Sequence, residues 1–291
     1  MSSKPATMAK TPKDSTLARI REHYDSLPPS ERKLADLLLD FPGDVASYTA
    51  TELAELAGVS KAAVSRFFRR LGYESFEQAR LLARDQQHWG SPLYLLTQKP
   101  ELDVSHSSLK RQMELEMENL AKTYERLDIR ALESIAGKLV KAGKIWLFGF
   151  RHSHFLAGYA RWQMLQIRGD VHQLVSESST LTEQIADIAA DDVIIAIGYR
   201  RRTKRFLQTL KTLHARKHRI LYLTEPNVGA SINYATWVIT AEVSGAGTFD
   251  SYPAPCSVIH LLCNSMFAQA GKPARQRLES IEELHDELGD F

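Results

Sequence analysis

Three consecutive arginines, Arg200, Arg201 and Arg202, followed by Thr203, stand one residue beyond the apolar run DVIIAIG at 192–198. Such a run reads as a buried strand, and the residues after it read as the start of a helix. The helix dipole disfavours cations at that end, so the cluster calls for an anion. A guanidinium is a planar fork that grips a carboxylate or phosphate at two points. A second loop of similar chemistry follows KIWLFGF at 144–150, where Gly149, Arg151, His152 and Ser153 set glycine, cation and hydroxyl side by side. Ligands of open parallel sheets sit beyond the carboxyl ends of the strands, near helix N-termini. The two loops therefore predict one pocket for a small anion. Ser251, flanked by Phe249, Asp250 and Tyr252 before a later apolar helix, either closes that pocket or caps the helix. The bland alternative for the arginines is a solvated junction or a dimer surface, paired with acids such as Glu177, Glu183 or Asp187.

A different chemistry is written into YTATELAELAGVSKAAVSRFFRRLGYESFEQA at 48–79. Thr49 and Glu52 have the spacing of a capping box. Leu53, Leu56 and Ala57 share a face of the helix that follows, and Gly58 permits a turn. Ser60 is placed to cap a second helix, whose Val64, Phe67 or Phe68, and Leu71 face inward until Gly72 ends it. Two short helices joined by a glycine turn form the unit whose second helix enters the major groove of DNA. Its outward residues are Lys61, Ala62, Ser65, Arg66, Arg69 and Arg70. Between 61 and 70 lie four basic residues and no acid, although residues 1–90 hold thirteen Lys/Arg against twelve Asp/Glu. Basic charge is therefore concentrated on this helix. Ser60, Lys61, Ala62 and Ser65 lie at the end suited to base edges, Arg66 to bases or phosphate, and Arg69 and Arg70 to phosphate. The alternative is a solvated basic face.

The elements that position these groups follow from periodicity. Up to about residue 88 the pattern is helical throughout. After about residue 143, DVHQLV, HRILYLTE and TWVITAEV join the two runs already named as short apolar stretches, with helical segments between the earlier ones. Strands alternating with helices predict a parallel sheet covered on both faces. The expected organisation is a flexible tail at 1–14, a helix-turn-helix domain at 15–88, a linker at 89–106, and an α/β domain at 107–291 for ligand binding and dimerisation. Within the last, two helices broken near Asp128 open the domain. Leu109, Met113, Met117, Leu120 and Tyr124 form a stripe expected to pack on the sheet or on a second subunit. A charged helix with Leu278, Ile281, Leu284 and Leu288 in register ends it.

The segment 27–80 resembles the N-terminal domain of the MurR/RpiR family of bacterial transcription regulators. In that family a helix patterned S-E-R-K-x-A-x-x-L-L precedes the helix-turn-helix, and the reading helix runs V-S-x-A-x-V-x-R-F-x-R-x-L-G. Val59, Ser60, Ala62, Val64, Arg66, Phe67, Arg70, Leu71 and Gly72 match it. The resemblance implies binding to double-stranded DNA, as a homodimer or homotetramer on a pseudo-palindromic operator. It also implies a sugar-isomerase-like (SIS) second domain of about five parallel strands, to which the pattern from 128 to 270 is similar. The family usually has G-x-G-x-S in the first pocket loop and S-x-S-G-x-T in the second. Here Gly149, Ser153 and Thr203 match, whereas Arg151 replaces a glycine and both serines of the second loop are gone. The expected effector is still anionic, either a carboxylate-bearing metabolite or a phosphosugar.

Composition bounds the rest. A net charge of +2 gives no global attraction to nucleic acid or membrane, and no apolar run reaches the ~20 residues of a membrane span. Cys256 and Cys263 have no partners for a metal site and suit a reducing compartment. The expectation is a cytoplasmic regulator with no metal, cofactor or catalytic residues. The rival is an SIS-fold enzyme such as a sugar-phosphate isomerase. It would need a positioned base, and Glu177, His172, Glu183 and His260 supply only the residue types.

Overall fold

The computed structural model describes residues 16–40, 48–80, 106–174, 181–200, 202–226, 230–246 and 249–290. The chain forms two compact units, Met1–Tyr94 and Leu95–Phe291.

The described residues of the first unit include the helices α1 (Thr16–His23), α2 (Pro29–Asp40), α3 (Ala50–Ala57) and α4 (Lys61–Arg70). The capping box forms as the spacing requires: Thr49 Oγ1 accepts from the Glu52 amide at 3.2 Å, and the Glu52 carboxylate accepts from the Thr49 amide at 2.7 Å. Gly58 ends α3 in the left-handed region, φ 62° and ψ 43°, where a Cβ costs about 1–2 kcal/mol. Ser60 Oγ then accepts from the Ala63 amide at 3.2 Å and starts α4. Phe67 and Phe68 are both buried, edge to face at 5.2 Å. The spacing left open which of them points inward. Phe68 turns toward Tyr73 and Phe76, beyond the helix end, so α4 is covered on two sides. Arg19 donates to the Leu71 carbonyl at 2.9 Å and satisfies the exit of α4.

The second unit contains α5 (His106–Arg126), α6 (Ile129–Val140), β1 (Ile145–Gly149), α7 (His152–Leu165), β2 (Val171–Gln173), α8 (Leu181–Ala186), β3 (Val193–Ile197), α9 (Lys204–Ala215), β4 (Arg219–Thr224), β5 (Trp237–Thr240), α10 (Pro253–Ala270) and α11 (Lys272–Leu288). The strands are all parallel, in the order β2-β1-β3-β4-β5. Alternate strand residues feed two cores. Ile145, Leu147, Ile195 and Leu221 join α6, α7 and α10 on one face, and Phe148, Ile194, Ala196 and Tyr222 join α8 and α9 on the other. Burial on both faces explains why the strands read as unbroken apolar runs. The expected fold class, a helical helix-turn-helix region followed by an α/β SIS-like domain, is the one observed.

The strand order reverses between β1 and β3, and this switch point brings loops 149–153 and 198–203 to the same end of the sheet.

The stripe on α5 is divided. Leu120 packs against the core, while Leu109, Met113, Met117 and Tyr124 are exposed on the single chain. The buried positions of α5 are polar, Asn119 and Thr123, because their partners are backbone groups near the end of the sheet. Hydrogen bonding chose the buried face of α5.

At the opposite end of the strands, Asp192 is 2% exposed and accepts from the Lys144 amide (2.8 Å), Trp146 Nε1 (2.8 Å) and the Ala189 amide (2.9 Å). Burial pushes its carboxyl up, but these three donors outweigh burial and hold it below the usual range. Asp192→Ala should therefore cost about 3 kcal/mol in urea unfolding, since it strands three buried donors. A depressed folded pKa stabilises in full above the unfolded value of about 4. The gap between parent and variant should narrow as pH falls through the lower folded value.

Candidate functional sites: a basic helix and a closed arginine pocket

On the first unit, Lys61, Ala62, Arg66 and Arg69 are exposed along α4. Ser60 is exposed but its hydroxyl serves as the cap, and half-buried Ser65 turns its Oγ to the Lys61 carbonyl at 3.4 Å. Arg70 does something the sequence reading missed. Its Nε donates to Glu31 of α2 at 2.8 Å, and the Glu31 side chain is only 3% exposed. A buried carboxylate needs a partner, so Arg70 pins the reading helix to α2. The sign was in the sequence, as the glutamate of the S-E-R-K pattern, but the pairing spans 39 positions.

On the second unit, close approach shapes both loops at the switch point. A Cβ on Gly149 would lie 2.3 Å from the Ser153 carbonyl oxygen, and one on Gly198 would lie 2.5 Å from the Phe206 ring. Arg151 takes φ 58° and ψ −133°, a conformation that favours glycine and strains other residues by about 1–3 kcal/mol. Its side chain is exposed, and it precedes α7 without giving a side-chain cap. Ser153 is buried, with its Oγ 3.5 Å from His152 Nε2. The His152 ring stacks on Tyr252 at 4.1 Å. Burial holds the His152 imidazole below its ordinary pKa, Asp250 opposes this, and Arg151 adds to it.

The second loop is a set of ion pairs. Arg200, also at positive φ (50°), directs its Nε to Asp250 Oδ1 at 3.2 Å, and its amide donates to Glu225 Oε2 at 2.9 Å. Arg202 Nη1 donates to Glu225 Oε1 at 2.7 Å, with side chains 5% and 13% exposed. Tyr252 donates to Asp250 at 3.3 Å, and burial with this carboxylate pushes the phenol well up. Thr203 Oγ1 caps α9 by accepting from the Phe206 amide at 3.1 Å. Arg201 lies outside the described residues, as does Glu177.

Arg200 and Arg202 are thus paired within their own chain, with Asp250 and Glu225. Glu225 was overlooked because it follows a different strand, and only the parallel pairing of β3 with β4 brings it beside Arg202. The space left between the loops is about 10 Å³, lined by Phe150, Ser153, Gly198, Tyr199, Arg202 and Thr203, room for about one water. A wider groove of about 600 Å³ runs between α6 and α10. It lies along the far half of α10, away from the strand ends, and gathers no comparable set of charged groups.

Ser251 neither caps α10, whose N-cap is Tyr252, nor faces this space. Its Oγ donates to the Glu116 carboxylate of α5, at 2.6 and 2.5 Å from its two oxygens.

A recognition helix in one unit and a doubly covered parallel sheet with a polar switch point in the other define a ligand-binding regulator of the helix-turn-helix class. Comparison with known proteins agrees. The model of the rpiR-family helix-turn-helix domain matches residues 15–87 and that of the SIS domain matches 138–265. The chain is similar to the HTH-type transcriptional regulator YfhH of Escherichia coli, at 28% identity over 193 residues, 63% of this chain and 66% of that one. It is also similar to the HTH-type transcriptional regulator HexR of Escherichia coli, at 25% identity over 274 residues, 92% and 93% of the two chains. Among solved structures it resembles the NanR protein of Vibrio vulnificus complexed with ManNAc-6P, with TM-score 0.57, 20% identity, and coverage of 94% and 98%. The chain belongs to the RpiR family of transcriptional regulators.

Arg202→Met should cost about 3–5 kcal/mol in urea unfolding, because it leaves Glu225 charged and enclosed without its partner. The double variant Arg202→Met/Glu225→Leu should recover most of that loss, since an apolar pair of similar volume suits the same enclosure. Equal destabilisation of the single and double variants would mean that the pair does not act as a unit.

Proposed function

We propose that this regulator binds a pseudo-palindromic operator as a homodimer or homotetramer and that a small anion, a carboxylate-bearing metabolite or a phosphosugar, sets its DNA affinity by binding at the loops after β1 and β3. The observation that carries this reading is the gathering of Arg151, Arg200 and Arg202 at the switch point of a parallel sheet, in a chain that also bears a basic recognition helix. On the DNA side, Lys61, Ala62 and Ser65 take base edges, Arg66 takes a base or phosphate, and Arg69 takes phosphate. Arg70 serves through its hold on Glu31.

Polar contacts give a route for coupling. The residues between β5 and α10 carry Asp250, the partner of Arg200, and the same stretch is stitched to α5. Asn119 Nδ2 donates to the Ser244 carbonyl at 2.7 Å, the Glu242 amide donates to Thr123 Oγ1 at 3.0 Å, Arg126 pairs with Glu242, and Ser251 holds Glu116. From α5 the chain leads back to the helix-turn-helix domain. An anion that takes Arg200 from Asp250 alters the seat of α5. The resulting change in DNA affinity is bounded by the anion's differential affinity for the two arrangements. An enzymatic reading finds less support: among the described residues, Glu225 and Asp250 are held by arginines and His152 is stacked on Tyr252, so none is poised as a base toward an open cavity.

With operator fragments selected from a random library and followed by fluorescence anisotropy, Arg66→Ala should weaken binding by about 1–3 kcal/mol. Arg69→Ala should weaken it evenly across sequences and lower the salt slope by about one. Arg70→Ala should lower the melting temperature as well as affinity; normal stability with a reduced salt slope would return it to the phosphate contacts.

A thermal-shift screen of carboxylates, keto acids, ureides and phosphosugars should find a compound that stabilises the protein in step with its concentration and shifts operator affinity. Asp250→Asn should weaken that shift while leaving specific DNA binding in place. An operator affinity that no such compound moves would refute effector control.

A further inference from the structure

Helix α11 is fixed to its domain at its root. Gly271, at φ 62°, turns the chain out of α10, and Pro273 stands in the first turn that follows. Ala274 is buried in the core, and Arg277 Nε donates to the Leu165 carbonyl at the end of α7 at 2.6 Å. Beyond that point Leu278, Ile281, Leu284 and Leu288 recur at helical spacing along one face. Among the described residues none of the four joins either core of the domain, and Leu284 and Leu288 are 53% and 74% exposed. Charge is divided along the same helix. Lys272, Arg275 and Arg277 come first with no acid among them, whereas Glu279, Glu282, Glu283, Asp286, Glu287 and Asp290 follow with no lysine or arginine. The helix dipole favours the reverse order, acids in the first turn and bases in the last. This order does not stabilise α11 alone, and it suits a second helix running the opposite way.

We propose that α11 pairs with α11 of a second copy of this chain, antiparallel about a two-fold axis at Ile281. A two-fold interface requires a surface complementary to itself, and this helix has one in its apolar face and in its charge order. With Ile281 facing its counterpart, positions equally far on either side of it come level. Leu278 then meets Leu284 of the second copy. At about 3.6 residues per turn, Arg275 and Asp286 lie on the same flank of the apolar seam, so Arg275 of each copy falls beside Asp286 of the other. Each of these contacts occurs twice. Glu279 and Glu283 are exposed and lie on the side away from the seam. An unrelated partner accounts for the apolar face but not for a charge order complementary to its own reverse. The inference rests on the homodimer reading above and names the surface that joins the copies.

The test uses the full-length protein, with self-association read by analytical ultracentrifugation. Leu284→Glu, at an exposed position outside both cores, should raise the dissociation constant for self-association by at least about tenfold and leave the circular dichroism spectrum unchanged. Arg275→Glu and Asp286→Arg should each raise it, since each sets like charges together at two symmetric contacts. The double variant Arg275→Glu/Asp286→Arg should restore the parent's value. On oxidation by copper phenanthroline, Ile281→Cys should give a disulfide-linked dimer, because the two positions meet at the axis. Leu288→Cys should not, because antiparallel pairing holds its two copies about 20 Å apart along the helices. The parent, whose Cys256 is half-buried and Cys263 buried, is the control. Cross-linking through Leu288→Cys in place of Ile281→Cys overturns the antiparallel pairing. If the parent self-associates and none of these variants alters its dissociation constant, α11 is covered by something else: the inference falls and the homodimer reading stands. A parent that is monomeric at every concentration overturns both.

Discussion

A parallel sheet covered on both faces leaves polar chemistry one open place, the ends of its strands. In this chain the constraint is strict, since β1 and β3 are buried along their whole length. Charged side chains concentrate where those strands stop. At the amino ends Asp192 gathers backbone amides and the Trp146 indole, and at the carboxyl ends Arg200 and Arg202 meet Asp250 and Glu225. The first cluster closes the sheet, and its donors are all satisfied within the protein. The second sits where the strand order reverses, which is where an α/β sheet opens a crevice to ligands.

That second cluster is shaped by close backbone approach and by ion pairs. Glycine stands where the chain approaches too closely for a Cβ, at Gly149 and Gly198. At residue 151 the glycine-like conformation persists although the residue is arginine. The backbone thus tolerates strain there to keep its path. Arg200 and Arg202 lie close together, and Asp250 and Glu225 balance their charges. The loops leave a space of about 10 Å³ bordered by these ion pairs.

The recognition helix is positioned by the same logic on a smaller scale. Its basic face stands clear of the core, yet Arg70 at its last turn belongs to the interior through Glu31. One helix therefore carries exposed basic side chains and one, Arg70, that ties it to α2. On the second unit, α5 is held by hydrogen bonds to the stretch that also carries Asp250. Its Leu120 packs on the core and its Asn119 and Thr123 bond to backbone groups, while Leu109, Met113 and Met117 are exposed on this chain.

Local chemistry was legible in the sequence. The capping box at Thr49, the turn at Gly58, the cap at Ser60 and the doubly buried strands each follow from a few neighbouring residues, because caps, turns and periodicity are short-range effects. The fold class follows from them, and so does the placement of the two arginine-bearing loops after strands. Partner choice was not legible. Glu31 for Arg70, Glu225 for Arg202, Asp250 for Arg200 and Glu116 for Ser251 are separated by 39, 23, 50 and 135 positions. Which acid meets which base is set by strand order and helix packing, and the charge of a side chain says nothing of its partner until the backbone has brought the two together. The sequence by itself determined the elements and the kinds of chemistry they carry; the tertiary structure decided that Arg200 and Arg202 are answered by the protein's own Asp250 and Glu225.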